Sequence, residues 1–425
     1  MCPPQAGAHA GAPLQEITFW LRIGMTPTMI EAVILASMAL ELMLFLGFFW
    51  HSRAHVRRSF PGQPSGGGPH EGEALAAFPR AAIIVPLTGN SPEMEVCLKS
   101  LLTQNYPDFE TVLVTRDLED PATPLVRDLL AGHRQARHII SGPATTCSQK
   151  NHNILAGLAA LDDSVDLLVF CDSTHQAPPH FLRDLVRPLR TGEAVLTTGF
   201  HRIAAGDFRL GTLGMLQINL VLHLLLGFAR IAQPWGGATA IRRSAFEAGG
   251  IRRLWSENVV DDLSMGVHLL RAGIRVKSVA TAVLTTNLAG QTVDGWVDWL
   301  TRQLLYAKYC LPGYWLGFSL AVCLLLLPVT AAALACLGGL VGLVSAKAAL
   351  TGAGFLLLLT GIGAWYRTLV PQRIPLRPWL AAFYGAIAIT CWSYLKTWGT
   401  DTISWRGISY RVTWGGRVRQ VIFPR

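Results

Sequence analysis

The chain has 425 residues, of which 51% are hydrophobic and only 15% charged, with a net charge of +9. That length suits two or three structural units, and so small a charged fraction excludes an ordinary soluble enzyme of this size. The positive balance suits a domain resting on an anionic leaflet, and the lack of any basic run interleaved with aromatics argues against a nucleic-acid partner.

Residues 1–29 carry a single cation, Arg22, and are read as an N-terminal segment without the basic start of a signal peptide. Residues 30–50 follow with only Glu31 and Glu41 as charges. A helix of that length spans ~31 Å, about one bilayer core, so this is a retained membrane anchor. Arg53, Arg57 and Arg58 come directly after it, which places its C-terminal side in the cytosol. The basic stretch and "PGQPSGGGPHEGE" make 51–77 a flexible linker.

A catalytic domain is expected over 78–309. "RAAIIVPL" (80–87) reads as a buried parallel strand, "MEVCLKSLLTQ" as an amphipathic helix and "FETVLVTRD" as a strand ending in Asp117. "QKNHNILAGLAAL" is a helix, "VDLLVFCDS" a buried strand ending in Asp172, and "GEAVLTTGF" a further strand. Strands alternating with helices predict an α/β fold with a mostly parallel sheet, whose strand carboxyl ends hold the ligand. The apolar stretch 210–232 is expected as an interfacial helix, with a buried core helix as the other reading. "SENVVDDLSMGVHLLRAG" opens a helix with Asp261 and Asp262, a pair that either caps the helix dipole or does chemistry.

No charge occurs over 311–346, 348–366 or 378–395, so 310–396 reads as a transmembrane region of about three segments, and 397–425 as a basic tail. One anchor plus three such spans would put that tail outside the cytosol, against the positive-inside rule. Either a segment is re-entrant or the first run, with Pro328 inside, is a tight hairpin. The eight cysteines show no metal-ligand spacing and suit a reducing compartment. No GxGxxG or Walker A loop is present, so a bound phosphate needs another counter-charge, such as a divalent cation held by carboxylate.

From 80 to 418 the chain resembles the ceramide glucosyltransferase family, membrane enzymes with a GT-A-type catalytic domain. "VPLTGNSPEMEVCLKSLLTQNYPDFETVLVTRDLEDPA", "VFCDS", "ENVVDDLSMG" and "TDTISWRGISYRVTWGGR" carry the resemblance. It implies that Asp117 binds the nucleotide of the donor, that Asp172 contacts a metal (Mn²⁺ or Mg²⁺) bridging its diphosphate, and that Asp262 is the general base. Asp261 would orient that base or raise its pKa. Where the family has Gln-x-x-Arg-Trp, this chain reads Trp299, two residues, Arg302 and Gln303. Arg302 is the candidate for pairing the diphosphate. Lys150, in "SQKNHN", matches a Lys-x-x-Asn element near the donor. His201, Trp235 and Gln303 are candidates for the acceptor side or cavity wall, as are Trp405 and Arg406, and His175 for a second metal ligand.

The expected activity is transfer of a hexose, glucose above others, from a UDP-sugar to the hydroxyl of a lipid such as ceramide. One base and no second nucleophilic carboxylate imply a single displacement with inversion. Diacylglycerol or a hopanoid-type lipid is an alternative acceptor. A processive polysaccharide synthase is the alternative activity. The resemblance to bacterial lipid- and hopanoid-associated relatives implies an integral protein of a bacterial inner membrane, with the catalytic domain cytosolic.

Overall fold

The computed structural model describes residues 27–60 and 78–424. The expected N-terminal segment through residue 26 and the Gly- and Pro-rich linker lie outside the described residues. By packing, the chain forms two units, Met1–Phe45 with Cys323–Leu359, and Leu46–Val322 with Thr360–Arg425.

The first element is a long helix, α1 (Pro27–Arg58). It runs past the expected anchor, so Arg57 and Arg58 sit on its last turn rather than in a linker. Strands and helices then alternate: β1 (Ala81–Pro86), α2 (Met94–Leu102), β2 (Phe109–Thr115), α3 (Thr123–Leu130), β3 (Ala136–Ile140), α4 (Gln149–Ala159) and β4 (Leu167–Cys171). These four strands pair in parallel, and every residue of β1 and β4 is buried. Covered on both faces, such strands need continuous apolar runs instead of alternation.

The second half contains α5 (Phe181–Arg190), β5 (Leu196–Ala205), α6 (Leu210–Leu225), β6 (Ala238–Arg242), α7 (Arg243–Ala248), α8 (Ile251–Trp255), α9 (Asp262–Arg271), β7 (Lys277–Leu288) and α10 (Val293–Cys310). Strand β6 runs antiparallel to β4 and β5, while β7 is parallel to β5. The result is a mostly parallel seven-stranded sheet of order β3-β2-β1-β4-β6-β5-β7. Helix α6 ends at Leu225, short of the expected 232, and is largely buried.

Gly199 lies where the β5–β7 register shifts between Thr198 and Phe200. A Cβ there would stand 2.1 Å from the Ala282 carbonyl oxygen. Gly199→Ala is therefore expected to destabilise the protein by about 1–3 kcal/mol, read as a lower thermal midpoint of the detergent-purified chain. An unchanged midpoint would mean that this irregularity adapts to a side chain.

Beyond the sheet come α11 (Pro312–Leu340), α12 (Ala346–Tyr366), α13 (Leu376–Trp398) and strands β8 (Thr402–Trp405), β9 (Ile408–Thr413) and β10 (Arg417–Ile422). Three described helices are long and apolar enough to cross a membrane: α1, α11 and α12 with its short extension to Leu369. Helix α13, the third of the expected C-terminal segments, instead buries Trp379, Phe383, Ile387 and Tyr394. It is tied to α6, where Gln217 Nε2 donates to the Trp379 carbonyl at 2.8 Å, and to α10, where Lys308 Nζ donates to the Thr397 carbonyl at 2.6 Å. The basic tail is an antiparallel meander, β10-β9-β8.

Within the unit formed by α1 up to Phe45 and the α11–α12 hairpin, Lys347 lies 3.9 Å from Glu31. The start of α1 and the α11–α12 turn are thus at one end. Gly352 lets the hairpin close, since a Cβ there would lie 2.7 Å from the Ala332 carbonyl. Such small-residue contacts bring apolar helices together in lipid.

Candidate active site

The carboxyl ends of β1 and β4, the loop before α9, one face of α10 and the β8–β9 turn enclose a cavity of about 350 Å³. The candidates Lys150, Asp172, His175, His201, Trp235, Asp261, Asp262, Arg302 and Gln303 line it. Trp405 and Arg406 line it as well. Asp117 stands apart, two residues past the end of β2. Its Oδ2 pairs with Arg116 Nε at 2.6 Å and its Oδ1 accepts from the Glu119 N–H at 3.1 Å.

The centre of the cavity is a charged cluster. Ser148 caps α4 by accepting from the Asn151 N–H, which sets Lys150 in the first turn. Lys150 Nζ reaches Asp172 Oδ1 at 2.8 Å and Asp261 Oδ2 at 3.1 Å. Burial opposes the ammonium charge, but Asp172 and Asp261 together hold its pKa well above the ordinary lysine range. Reciprocally, burial would raise the Asp172 pKa, yet Lys150 and then His175 bring it well below the usual carboxylate range.

Asp262 is held differently. Its Oδ2 accepts from the Gly236 N–H at 2.8 Å and its Oδ1 from its neighbour Leu263 N–H at 2.6 Å. Asp261, at the N-cap of α9, makes no side-chain capping bond. The two carboxylates are placed differently: Asp261 pairs with Lys150, while Asp262 accepts from the Gly236 N–H and from the Leu263 N–H in the first turn of α9. Burial first, and the adjacent Asp261 second, push the Asp262 pKa up to about 6 against the opposing pull of Lys150. The approach is tight, since a Cβ on Gly236 would come within 2.5 Å of Asp261 Oδ2.

Trp299, Arg302, Gln303 and Tyr306 all line the cavity from α10. Their spacing of three and four residues puts them on one helix face, so a helical reading of the Trp299–Gln303 segment would also have found Tyr306. The meander adds Trp405, Arg406 and Tyr410. It is pinned beside the Asp261 loop by Val259 N donating to the Gly416 carbonyl at 2.9 Å and Asn258 Nδ2 donating to the Gly415 carbonyl at 2.9 Å. Arg406, with φ 51°, is the only non-glycine residue at positive φ among the described residues, in the tight β8–β9 turn that presents it.

The lining is also aromatic and apolar. His201 stacks on Trp235 with 4.4 Å between ring centroids and 5° between planes. Burial and then its neighbours His175 and His223 hold the His201 pKa well below 6.5, so the ring is neutral. Phe200, Ile203, Met215, Leu222 and Leu288 belong to the same lining. His175, a candidate by its spacing from Asp172, also lines the cavity, as do Thr286 and Asn219, which no local sequence pattern marks. His175 is 8% exposed and faces Asp172 inside the cavity.

Among curated proteins the chain is similar to ceramide glucosyltransferase 1 of Caenorhabditis elegans, 21% identical over 364 residues that cover 82% of this chain and 75% of that one. Among solved structures it is similar to a mannosyltransferase from Pyrobaculum calidifontis in complex with GDP-mannose and Mn²⁺. That match has a TM-score of 0.54 at 18% identity and covers 87% of this chain and 98% of the other. It shows the shared glycosyltransferase fold, a mostly parallel sheet of GT-A type. The profile of glycosyl transferase family 21 matches residues 39–418. The chain is a sugar-transferring enzyme and belongs to glycosyl transferase family 21.

Proposed function

We propose that the enzyme transfers a hexose, glucose above others, from a UDP-sugar to the hydroxyl of a membrane lipid of the ceramide kind, by a single inverting displacement. The observation that carries this reading is one cavity with two characters. Its lining includes Lys150, Asp172, Asp262 and Arg302 and also Phe200, Ile203, Met215, Leu222 and Leu288. A nucleotide sugar needs the first and an acyl-bearing alcohol the second.

The acceptor oxygen forms its bond to the anomeric carbon while the bond from that carbon to the diphosphate oxygen breaks. The acceptor proton passes to Asp262, and the diphosphate leaves with the bonding electron pair. Arg302 is assigned to the departing phosphates, which guanidinium pairs through two parallel donors. Asp117, just past the end of β2, is assigned to the nucleoside, the part of the donor furthest from the reacting carbon.

The residues present fit a hard divalent cation. Lys150 pairs with Asp172 Oδ1 at 2.8 Å, and His175 Nε2 stands 3.7 Å from Oδ2, the oxygen that would face an ion. No group of three or more histidine, cysteine or acidic side chains able to hold a metal exists among the described residues. Most ligands would then come from the diphosphate and water, the habit of Mg²⁺ and Mn²⁺ in nucleotide sites. When bound, such an ion neutralises charge on the leaving diphosphate. Chelator is expected to abolish transfer and added Mn²⁺ or Mg²⁺ to restore it; full activity in chelator would remove Asp172 from this role.

The membrane arrangement supports a cytosolic site. With α1, α11 and α12 as the spans, an anchor entering the cytosol at Arg57 and Arg58 is followed by a hairpin that returns the chain to the same side. The basic loop 367–377 and the meander then both lie where positive charge is favoured. A third C-terminal span would reverse the meander, and α13 is not among the described helices long and apolar enough to cross a membrane.

The decisive experiment is mass spectrometry of lipids formed by the purified enzyme from a panel of UDP-sugars with ceramide, diacylglycerol and hopanoid alcohols. A hexosyl ceramide supports the reading. A hexosyl diacylglycerol or hopanoid moves the acceptor, and a growing polymer would overturn single transfer.

A further inference from the structure

Helix α13 has the length of a membrane span. Its 23 residues extend ~34 Å, and 378–395 carry no charge. Both of its ends, however, are tied to the catalytic domain. Just before it, Gln372 and Ala205 of β5 exchange two hydrogen bonds. The Ala205 N–H donates to Gln372 Oε1 at 3.0 Å, and Gln372 Nε2 donates to the Ala205 carbonyl at 2.8 Å. At the far end, Lys308 of α10 donates to the Thr397 and Thr400 carbonyls at 2.6 and 3.1 Å, and Lys396 stands 3.3 Å from Asp298. A helix held at both ends by one folded domain does not cross a bilayer.

Its contacts with the spans agree. Trp379 Nε1 donates to the Gly363 carbonyl of α12 at 2.8 Å, and Tyr384 Oη lies 2.8 Å from Thr360 Oγ1. On α11, Cys391 Sγ lies 3.9 Å from the Val322 carbonyl, and Tyr394 Oη donates to the Trp315 carbonyl at 3.1 Å. As α13 advances, its partners step backward along α12 and backward along α11. Yet α11 leaves the catalytic domain and α12 returns to it, so a helix standing upright beside them could not run against both. Helix α13 therefore lies across the ends of the two spans nearest the domain, close to the plane of the membrane.

One face of α13 is buried on α6 and α10. On the other, Ala381, Ala388, Trp392 and Leu395 recur at helical intervals and form a single stripe. Trp392 and Leu395 are each 58% exposed and Trp398 54%, and both alanines are exposed as well. Arg377 and Lys396 stand at the two ends, with stems long enough to carry charge to water beside an apolar surface. Two spans flank the stripe, tryptophan favours the headgroup level, and the adjoining loop carries Arg367 and Arg373. These features fit one occupant, the lipid itself. We propose that α13 is an in-plane membrane helix whose outer stripe sits among the upper acyl chains of the leaflet nearest the catalytic domain. The interfacial place expected for 210–232 falls to α13, which covers α6 instead. Because α6 and α10 also line the cavity, α13 brings the cavity up to the leaflet. The inference rests on α11 and α12 as membrane spans, and not on the identity of the acceptor.

The test uses the full-length protein in sealed vesicles of one orientation. Arg373→Cys, Gly399→Cys and Leu343→Cys are each treated with a membrane-impermeant maleimide, and labelling is read peptide by peptide to separate it from the native cysteines. A Cβ at Gly399 meets nothing within 4 Å, and Arg373 and Leu343 are exposed. Arg373 and Gly399 flank α13, so these two sites are expected to react from the same side and to equal extents. Leu343, in the α11–α12 turn, should react only from the other side. A phosphatidylcholine with a diazirine high on its acyl chain is expected to label Ala381, Ala388 and Trp392 alike. The same group at the chain end should label α11 and α12 and leave α13 nearly unlabelled. Reaction of the 373 and 399 sites from opposite sides would make α13 a span and overturn the proposal. Reaction from one side with no lipid labelling of the stripe would give the face to a second copy or another protein and overturn the lipid as occupant. A 343 site reacting from the catalytic-domain side would overturn the spans themselves.

Discussion

Asp262→Asn is expected to lower turnover of the lipid acceptor by about 10²–10⁴-fold, the usual contribution of a positioned general base, while donor binding changes little. The amide keeps the shape of the carboxylate but cannot take the acceptor proton. It also offers one oxygen where two backbone N–H groups, of Gly236 and Leu263, now each find one. A modest loss of stability should therefore accompany the loss of rate, and donor affinity with the thermal midpoint separates the two. Asp261→Asn should cost less rate, because Asp261 contacts Lys150 instead of facing two backbone donors. In the wild type, burial and Asp261 set the Asp262 pKa at about 6. The base works deprotonated, so turnover should fall as the pH drops through about 6 and level off above it. Near-normal turnover in Asp262→Asn would sink the base assignment, and an acid limb absent down to pH 4 would sink the role of burial in setting it.

Lys150→Met is expected to destabilise the fold by about 3–5 kcal/mol at pH 8, the cost of leaving a buried charge without its partner. Lys150 is the ammonium between Asp172 and Asp261, and Asp261 has only 5% of its side chain exposed. Without the lysine the three carboxylates repel one another, and protonation of one relieves them. The loss should therefore shrink as the pH is lowered, and the acid limb of any remaining activity should move upward, since Lys150 is what lowers the Asp262 pKa. The double variant Lys150→Met with Asp261→Asn should recover part of the stability. Differential scanning calorimetry of the wild type and the two variants at pH 6 and 8 checks this. Equal midpoints for wild type and Lys150→Met at pH 8 would show that the cluster is solvated and that the lysine holds nothing together.

What the sequence by itself determined was what local pattern records. The buried parallel strands over 81–86, 109–115 and 167–171 are legible because a strand covered on both faces must be apolar throughout. The α1, α11 and α12 helices are legible because a bilayer tolerates almost no charge over about 20 residues. Asp172, Asp261 and Asp262 stood out because acids at a strand end and a helix start have chemistry available to them. The tertiary structure decided the rest. Helix α13 is free of charge from 378 to 395 yet packs on α6 and α10, and no local pattern tells a buried face from a lipid-facing one. The basic tail is a meander that brings Arg406 and Tyr410 to the cavity, a closure made by bonds from the Val259 N–H and the Asn258 side chain to carbonyls more than 150 residues away. The capping and catalytic readings of Asp261 and Asp262 are equal in sequence. They separate only when Lys150, over 100 positions earlier, and Gly236 arrive beside them, because a carboxylate's role is set by the charges and donors that folding brings within about 4 Å of it.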